Sequence, residues 1–169
     1  MKRLEVAVNI ALLLACTVFV AVGIKYLIRQ LHETRSEQKQ SLVGADLKTK
    51  LSSRSAFALP GMVIAISTHC KFCHNSLPFY KKLTQLAATQ GKSILIIFPE
   101  STEEDQKFLN DASIITGEKV SQENFLALGI RATPTILALN SKGIVNAEWV
   151  GQLPSSKEEE VMHTFESNQ

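Results

Sequence analysis

The sequence predicts an α/β domain, a sheet with helices packed on both of its faces. Three observations carry that reading. Two short runs, residues 62–66 (MVIAI) and 93–98 (SILIIF), are apolar at nearly every position, the pattern of strands buried on both faces. After the first of them, apolar residues recur at three- and four-residue intervals, which is a helical period, and after the second a capping box signals another helix. Nearer the C-terminus, two further strand-like runs flank Asn140-Ser141-Lys142-Gly143, hairpin turn chemistry with a glycine free to take positive φ. Apolar strands alternating with helices imply a sheet covered on both sides.

Each element can be justified in turn. Residues 43–60 scatter Leu47, Leu51, Phe57 and Leu59 among Ser, Lys and Gly, and read as an irregular lead-in with at most one short edge strand. Residues 62–66 form the first strand. Leu77, Tyr80, Leu83, Leu86 and Ala87 mark one face of a helix. Pro78 should kink it, because proline lacks a backbone donor and crowds the preceding turn. Gly91 should stop it. Residues 93–98 are the second strand. Ser101-x-x-Glu104 resembles a capping box, with Phe108 and Leu109 pointing inward. Residues 122–128 read as a short helix ended by Gly129. Residues 135–139 and 144–150 are the hairpin strands. Ser155-x-x-Glu158 opens a last helix with Val161, Met162 and Phe165 inward, and its Glu158-Glu159-Glu160 run suits the positive end of the helix dipole.

The chain has 169 residues and a formal net charge of +2, which fits one domain plus an appendage and gives nucleic-acid binding no support. Residues 1–40 carry six Lys/Arg against three Asp/Glu, and the remainder carries twelve against thirteen. The basic excess lies beside residues 6–24, VAVNIALLLACTVFVAVGI, a run with no charge and one amide, Asn9. Roughly twenty helical residues at about 1.5 Å each match a hydrocarbon core of about 30 Å. Ala21-Val22-Gly23 keeps a cleaved signal peptide open. The run is longer than the usual signal core of about 7–15 residues, and an amphipathic pattern continues through residues 25–31, so an uncleaved anchor is preferred. A buried soluble helix is the weaker alternative. Lys2 and Arg3 precede the run and Lys25, Arg29 and Arg35 follow it, so charge does not set its orientation. The expected organisation is an anchor at 1–30 (spanning the membrane at about 6–24), a polar stalk at 31–42, and the domain at 43–169.

Cys16 lies within the apolar run and reads as a small apolar filler. Cys70 and Cys73 are then the domain's two thiols, too few for a disulfide framework. They follow the first strand directly and open a helix. Two thiols three positions apart span about one turn and can close a small disulfide ring, a two-electron switch. The helix N-terminus favours Cys70 as thiolate, and His69, Lys71 and His74 are candidates for tuning it. In this reading Cys70 attacks and the more shielded Cys73 resolves. His69 and His74 also fit ordinary solvated histidines. Cys70-Lys71-Phe72-Cys73-His74 matches the C-x-x-C-H pattern of covalent haem attachment, with Met62, Met162 and His163 as second-ligand candidates. His69, Cys70, Cys73 and His74 could be read as a metal set, though four ligands within six residues can hardly meet one tetrahedral centre, and no metal is expected. A bland pair of buried cysteines in a binding module is the remaining alternative. Phe72 and Trp149 read as packing or rim residues.

These residues resemble the thioredoxin superfamily over roughly residues 62–151. Cys70-x-x-Cys73 follows an apolar strand, Pro78 stands five positions after the second cysteine, and Gly129-Ile130-Arg131-Ala132-Thr133-Pro134-Thr135 is similar to the family's cis-proline loop. With the N-terminal anchor, the chain is similar to membrane-tethered redoxins of the TlpA/ResA type. The resemblance implies a thioredoxin fold, a central mixed sheet with helices on both faces, behind one transmembrane helix. It implies a thiol–disulfide oxidoreductase with Cys70 and Cys73 as redox pair. It also implies a cis Thr133–Pro134 bond facing Cys70, with Thr133 and Pro134 orienting substrate. No dissociable cofactor is implied. The implied partners are exported cysteine-containing proteins and a membrane redox partner, with the domain on the extracytoplasmic (periplasmic) side of the inner or plasma membrane. Five positions depart from the pattern. The usual Trp before the first cysteine is His69, the usual Gly-Pro is Lys71-Phe72, the buried Asp is Ile64, and the ResA-type Glu is Ser76. The usual carboxylate beside the second thiol is thus absent from both of its places. The Cys-x-x-Cys-His ending also resembles exported isomerases, so oxidase and isomerase activity stay open.

Overall fold

The computed structural model describes residues 23–25, 41–51, 58–99, 103–114 and 120–167. The chain divides into two units, Met1–Ser41 and Leu42–Gln169. Of the first unit, residues 23–25 are helical. The expected membrane span at 6–24 and the stalk at 31–42 otherwise lie outside the described residues, except for residues 41 and 42. Among the described residues, no helix is long and apolar enough to cross a membrane.

The second unit runs β1 (Gly61–Ala65), α1 (Lys71–Asn75), α2 (Leu77–Gln90), β2 (Ser93–Phe98), α3 (Glu103–Asp111), β3 (Val120–Gln122), α4 (Phe125–Leu128), β4 (Thr135–Leu139), β5 (Val145–Val150) and α5 (Ser155–Ser167). The five strands form one sheet in the order β3-β2-β1-β4-β5. β1 pairs in parallel with β2, and β2 in parallel with β3. β4 lies antiparallel to both β1 and β5. The sheet is therefore mixed, as expected. β1, β2 and β4 occupy its middle and are buried at every position, which explains their unbroken apolar composition.

Because side chains alternate along a strand, the sheet separates two cores. Met62, Ile64 and Ile66 face one core, with Ile94, Ile96, Phe98 and Ile136, under Tyr80 and Leu83 of α2, Leu109 of α3, and Val161 and Phe165 of α5. Val63 and Ala65 face the other, with Leu95, Ile97, Leu137 and Leu139. Helices on both faces were expected, and the two faces differ. The second core is covered by the one-turn helix α4 and by the lead-in, whose Leu42, Leu47 and Leu51 are buried. An irregular segment does there what a helix does on the opposite face. It is pinned by Gly44 N–H to Val145 C=O at 2.8 Å and Leu47 N–H to Gly143 C=O at 3.0 Å. The expected short edge strand is a single antiparallel bridge between Asp46 and Ile144.

Local chemistry explains the boundaries. The break between α1 and α2 falls at Ser76, with Pro78 in the first turn of α2, where a missing N–H does no harm. Gly91 ends α2 in the left-handed conformation. Lys92 beyond it donates to the carbonyls of Phe165 and Glu166 at 2.8 and 2.7 Å, tying the ends of α2 and α5 together. In the β4–β5 turn, Asn140 Oδ1 accepts from the N–H groups of Lys142 and Ile144. One expectation needs correction. Residues 122–128 are not all helical: Gln122 ends β3, and the helix begins at Phe125 behind Asn124, whose side chain caps Ala127 N–H at 3.1 Å. Three strand residues are too few to set up a visible alternation. The proposed cap at Ser101 lies outside the described residues.

Two stability tests follow. Leu47 is fully buried, so Leu47→Ala should cost about 2–5 kcal/mol in chemical denaturation; a loss below about 1 kcal/mol would mean that the lead-in is not part of the core. Gly143 has φ +83, and a Cβ there would meet the Cβ of Lys48, whereas Gly91 at φ +64 has open space around it. Gly91→Ala should cost about 1–2 kcal/mol from backbone conformation alone, and Gly143→Ala clearly more.

Candidate active site

β1 ends on the sheet's central axis, and the loop that leaves it delivers Cys70 to the start of α1. Cys70 is the N-cap of that helix: its backbone is extended, and its Sγ accepts from Cys73 N–H at 3.3 Å. The Cys70 carbonyl accepts from the N–H groups of Cys73 and His74 at 3.0 and 3.2 Å. Both cysteines are free thiols, Cys70 partly exposed and Cys73 fully buried.

From 63 residues away, β4 brings the loop that completes the site. The Thr133–Pro134 peptide is cis, as is Leu59–Pro60. The Cys70 thiol donates to Thr133 C=O at 3.2 Å. Thr133 is half-exposed and Pro134 buried. The loop is braced from behind by Gly151 N–H, which donates to Pro134 C=O at 2.7 Å. A side-chain bond from Asn75 Nδ2 to Gln152 Oε1 at 3.1 Å ties α1 to the turn after β5. Nothing in the sequence signalled that last tie, since its partners lie 77 positions apart.

The two thiols are driven apart electrostatically. Partial burial pushes the Cys70 thiol up, but hydrogen bonds from the side chains of Cys73 and Thr133 and the N–H groups of Cys73 and Phe72 outweigh it and leave it below the usual thiol range. Burial pushes the Cys73 thiol up to about 12, and its hydrogen bond to Cys70 adds to that. A partly exposed thiol that ionises more readily than usual therefore sits beside a shielded one that holds its proton.

The remaining predicted residues are placed as follows. Lys71 is exposed. His69 and His74 make their hydrogen bonds to Thr68, not to a sulfur: His69 Nδ1 lies 3.0 Å from Thr68 Oγ1, and His74 Nε2 lies 2.7 Å from Thr68 C=O. Phe72 is exposed, whereas Trp149 is buried and donates to Glu160 Oε1 at 3.0 Å. Met62 lies in the core. At the two positions where the resemblance implies a carboxylate, Ile64 is fully buried and Ser76 uses its hydroxyl to bond Phe72 C=O at 2.9 Å. Tyr80 is the buried phenol of this neighbourhood; burial raises it above the usual phenol range, a side-chain hydrogen bond with Ser76 opposes this, and the charges of both thiols add to it. Sequence reasoning missed Tyr80 as a neighbour of the thiols, because its spacing marks it only as a core residue of α2.

Solved structures with the same architecture identify the fold. The chain is similar to a thiol:disulfide interchange protein of the thioredoxin family from Chlorobium tepidum, at TM-score 0.51 and 18% identity over 62% of this chain and 77% of that one. It is similar to StoA from Bacillus subtilis, at TM-score 0.50 and 14% identity over 61% and 79%. It is also similar to the thioredoxin domain of a thiol-disulfide oxidoreductase from Bacteroides vulgatus, at TM-score 0.51 and 15% identity over 62% and 77%. The chain has a thioredoxin fold. At these identities the likeness is one of fold. No protein-family model and no curated protein matches the sequence. The thioredoxin fold thus reaches this chain through its backbone, and the chemistry is argued from the residues above.

The asymmetry of the thiols is directly measurable. In the reduced protein, iodoacetamide should label Cys70 with a pH midpoint below that of an ordinary exposed thiol. With Cys73 at about 12, only roughly one molecule in 10⁴ carries its thiolate at pH 8. Peptide mapping should find Cys70 labelled first at every pH up to 9, and faster labelling of Cys73 would overturn the assignment.

Proposed function

We propose that this chain is a membrane-tethered thiol–disulfide oxidoreductase, exchanging a Cys70–Cys73 disulfide or dithiol with exported cysteine-containing proteins. The observation that carries the reading is the placement of Cys70: a partly exposed, helix-capping sulfur in hydrogen-bond contact with the backbone of the Thr133–Pro134 loop. A substrate segment can lie along that loop as an added strand and bring its own cysteine to Cys70.

In the oxidising direction, a substrate thiolate attacks Cys70 Sγ and the Cys70–Cys73 bond breaks. Cys73 leaves as thiolate and takes up a proton. A second substrate thiolate then attacks the substrate sulfur of the mixed disulfide, releasing Cys70 as thiolate and the substrate as a disulfide. Two electrons pass to the protein, and the reverse sequence returns them. The depressed Cys70 makes it a good leaving group in the second step and stabilises the reduced form, which favours oxidising poise. The dithiol itself stores the electrons, so no dissociable cofactor is required.

The uncharged run at residues 6–24 supports a single-pass anchor in the inner or plasma membrane, and disulfide chemistry on protein substrates fits an extracytoplasmic domain. A tethered domain also suits a redox partner in the same membrane. The haem alternative finds less support, because His74 Nε2, the atom that would face iron, is bonded to Thr68, and Cys73 has no exposed surface.

The reduction potential in glutathione buffers tests the reading. A reversible two-electron couple is expected; a value near about −120 mV would mark an oxidant and one near about −270 mV a reductant. Cys73→Ser should trap mixed disulfides at Cys70, and Cys70→Ser should exchange with nothing. Failure to form a reversible Cys70–Cys73 disulfide would leave only a binding module.

A further inference from the structure

We propose that His74 is a positioning residue: by donating from Nε2 to the Thr68 carbonyl while its ring stands against Phe108, it holds the loop that presents Cys70. The inference rests on the reading of Cys70 as the attacking sulfur and deepens it. It assigns His74 a hydrogen-bonding task in place of the charge-tuning one that its sequence position suggests.

The helix that Cys70 caps has five residues, too short to hold its own cap by cooperativity. Besides its bonds to Cys73 and Thr133, the position of the sulfur therefore depends on residues 67–69, between the end of β1 and the helix. Most bonds of that loop are internal. Cys70 N–H reaches Ser67 C=O at 3.1 Å, His69 N–H reaches Ser67 Oγ at 3.3 Å, and His69 Nδ1 meets Thr68 Oγ1. Such bonds shape the turn without fixing where it sits. The bond from His74 to Thr68 C=O at 2.7 Å is different, because it crosses from the loop to the second turn of the active-site helix. The ring that makes it is held from a third element. Phe108 of α3 meets it edge to face, with centroids 4.8 Å apart and planes at 88°, the arrangement that aromatic quadrupoles favour. The imidazole thus links its own helix, the loop before it and a distant helix, α3.

The chemistry of the acceptor defines the role. A carbonyl oxygen only accepts, so Nε2 must carry a proton whether the ring is neutral or cationic. The bond survives either charge state, and a neutral donor at the same reach should replace it. Glutamine places an amide nitrogen where Nε2 stands, asparagine is one bond too short, and alanine has no donor.

The test is the pH profile of Cys70 alkylation in the reduced full-length protein, read by peptide mapping for His74→Gln, His74→Asn, His74→Ala and Phe108→Leu. A hydrogen bond of about 0.5–1.5 kcal/mol corresponds to roughly two- to tenfold. Cys70 labelling at pH 6.5 should fall by about that factor in the Ala and Asn variants, stay within about twofold of wild type in Gln, and fall less in Phe108→Leu. The His74→Ala/Phe108→Leu double variant should fall no further than His74→Ala, because both remove one support. His74 is exposed, so unchanged melting temperatures should confirm that the His74 variants fold, and an unchanged circular-dichroism spectrum should do so for variants of Phe108, which packs partly on the main core. Equal losses in Gln and Ala would overturn the proposal in favour of charge. No loss in any variant, or additive losses in the double variant, would also overturn it. The readout requires no protein substrate, so it stands apart from failure of the exchange activity, which would appear as a normal profile with no reversible disulfide.

Discussion

The sulfur of Cys70 is held in a contest between two backbones. From one side, the N–H of Cys73 points at it from inside a helix that Cys70 itself caps. From the other, the carbonyl of Thr133 receives its thiol proton. As a thiol it can satisfy both, donating to one and accepting from the other. As a thiolate it keeps the donors and loses its claim on the carbonyl, which is then open to another donor. The protonation state of one atom is in this way coupled to whether the Thr133 backbone is engaged, and a docking strand would compete for the same group.

The fold makes that contest stable by separating support from chemistry. β1 is buried at every position and flanked by β2 and β4, so the strand delivering Cys70 and the strand following Pro134 are neighbours in one rigid sheet. Register places Ala65 opposite Thr135, which brings the exit of one strand beside the entry of the other. The bond from Gly151 then fixes the proline loop from the far side. The second face carries no functional group in this account, and its cover is correspondingly simple: one helical turn and an irregular lead-in burying three leucines.

Much of this was legible from residues. The strands at 62–66 and 93–98 declared themselves because burial on both faces demands continuous apolar side chains. Gly91, Gly129 and Gly143 marked chain reversals because each takes positive φ. Other features were not legible. β3 pairs through three residues, fewer than any periodicity needs. Cover of the second face by a segment with leucines spaced five and four apart follows neither the helical nor the strand period, so it read as a bare lead-in. His69 and His74 looked alike, both flanking the cysteines; only the path of the backbone showed that both turn toward Thr68, and that one of them reaches α3.

The sequence by itself determined the chemical identity of the site: two thiols one helical turn apart after a buried strand, and a distant Thr-Pro before another. Local patterns suffice for that, because strand burial, helix capping and thiol spacing are all short-range properties. Only the tertiary structure decided how fully Cys73 is shielded and which donors outweigh burial at Cys70. Those depend on groups 63 and 77 positions apart meeting within hydrogen-bond distance, and solvation and hydrogen bonding at an atom are set by whatever surrounds it in space, not by its neighbours along the chain.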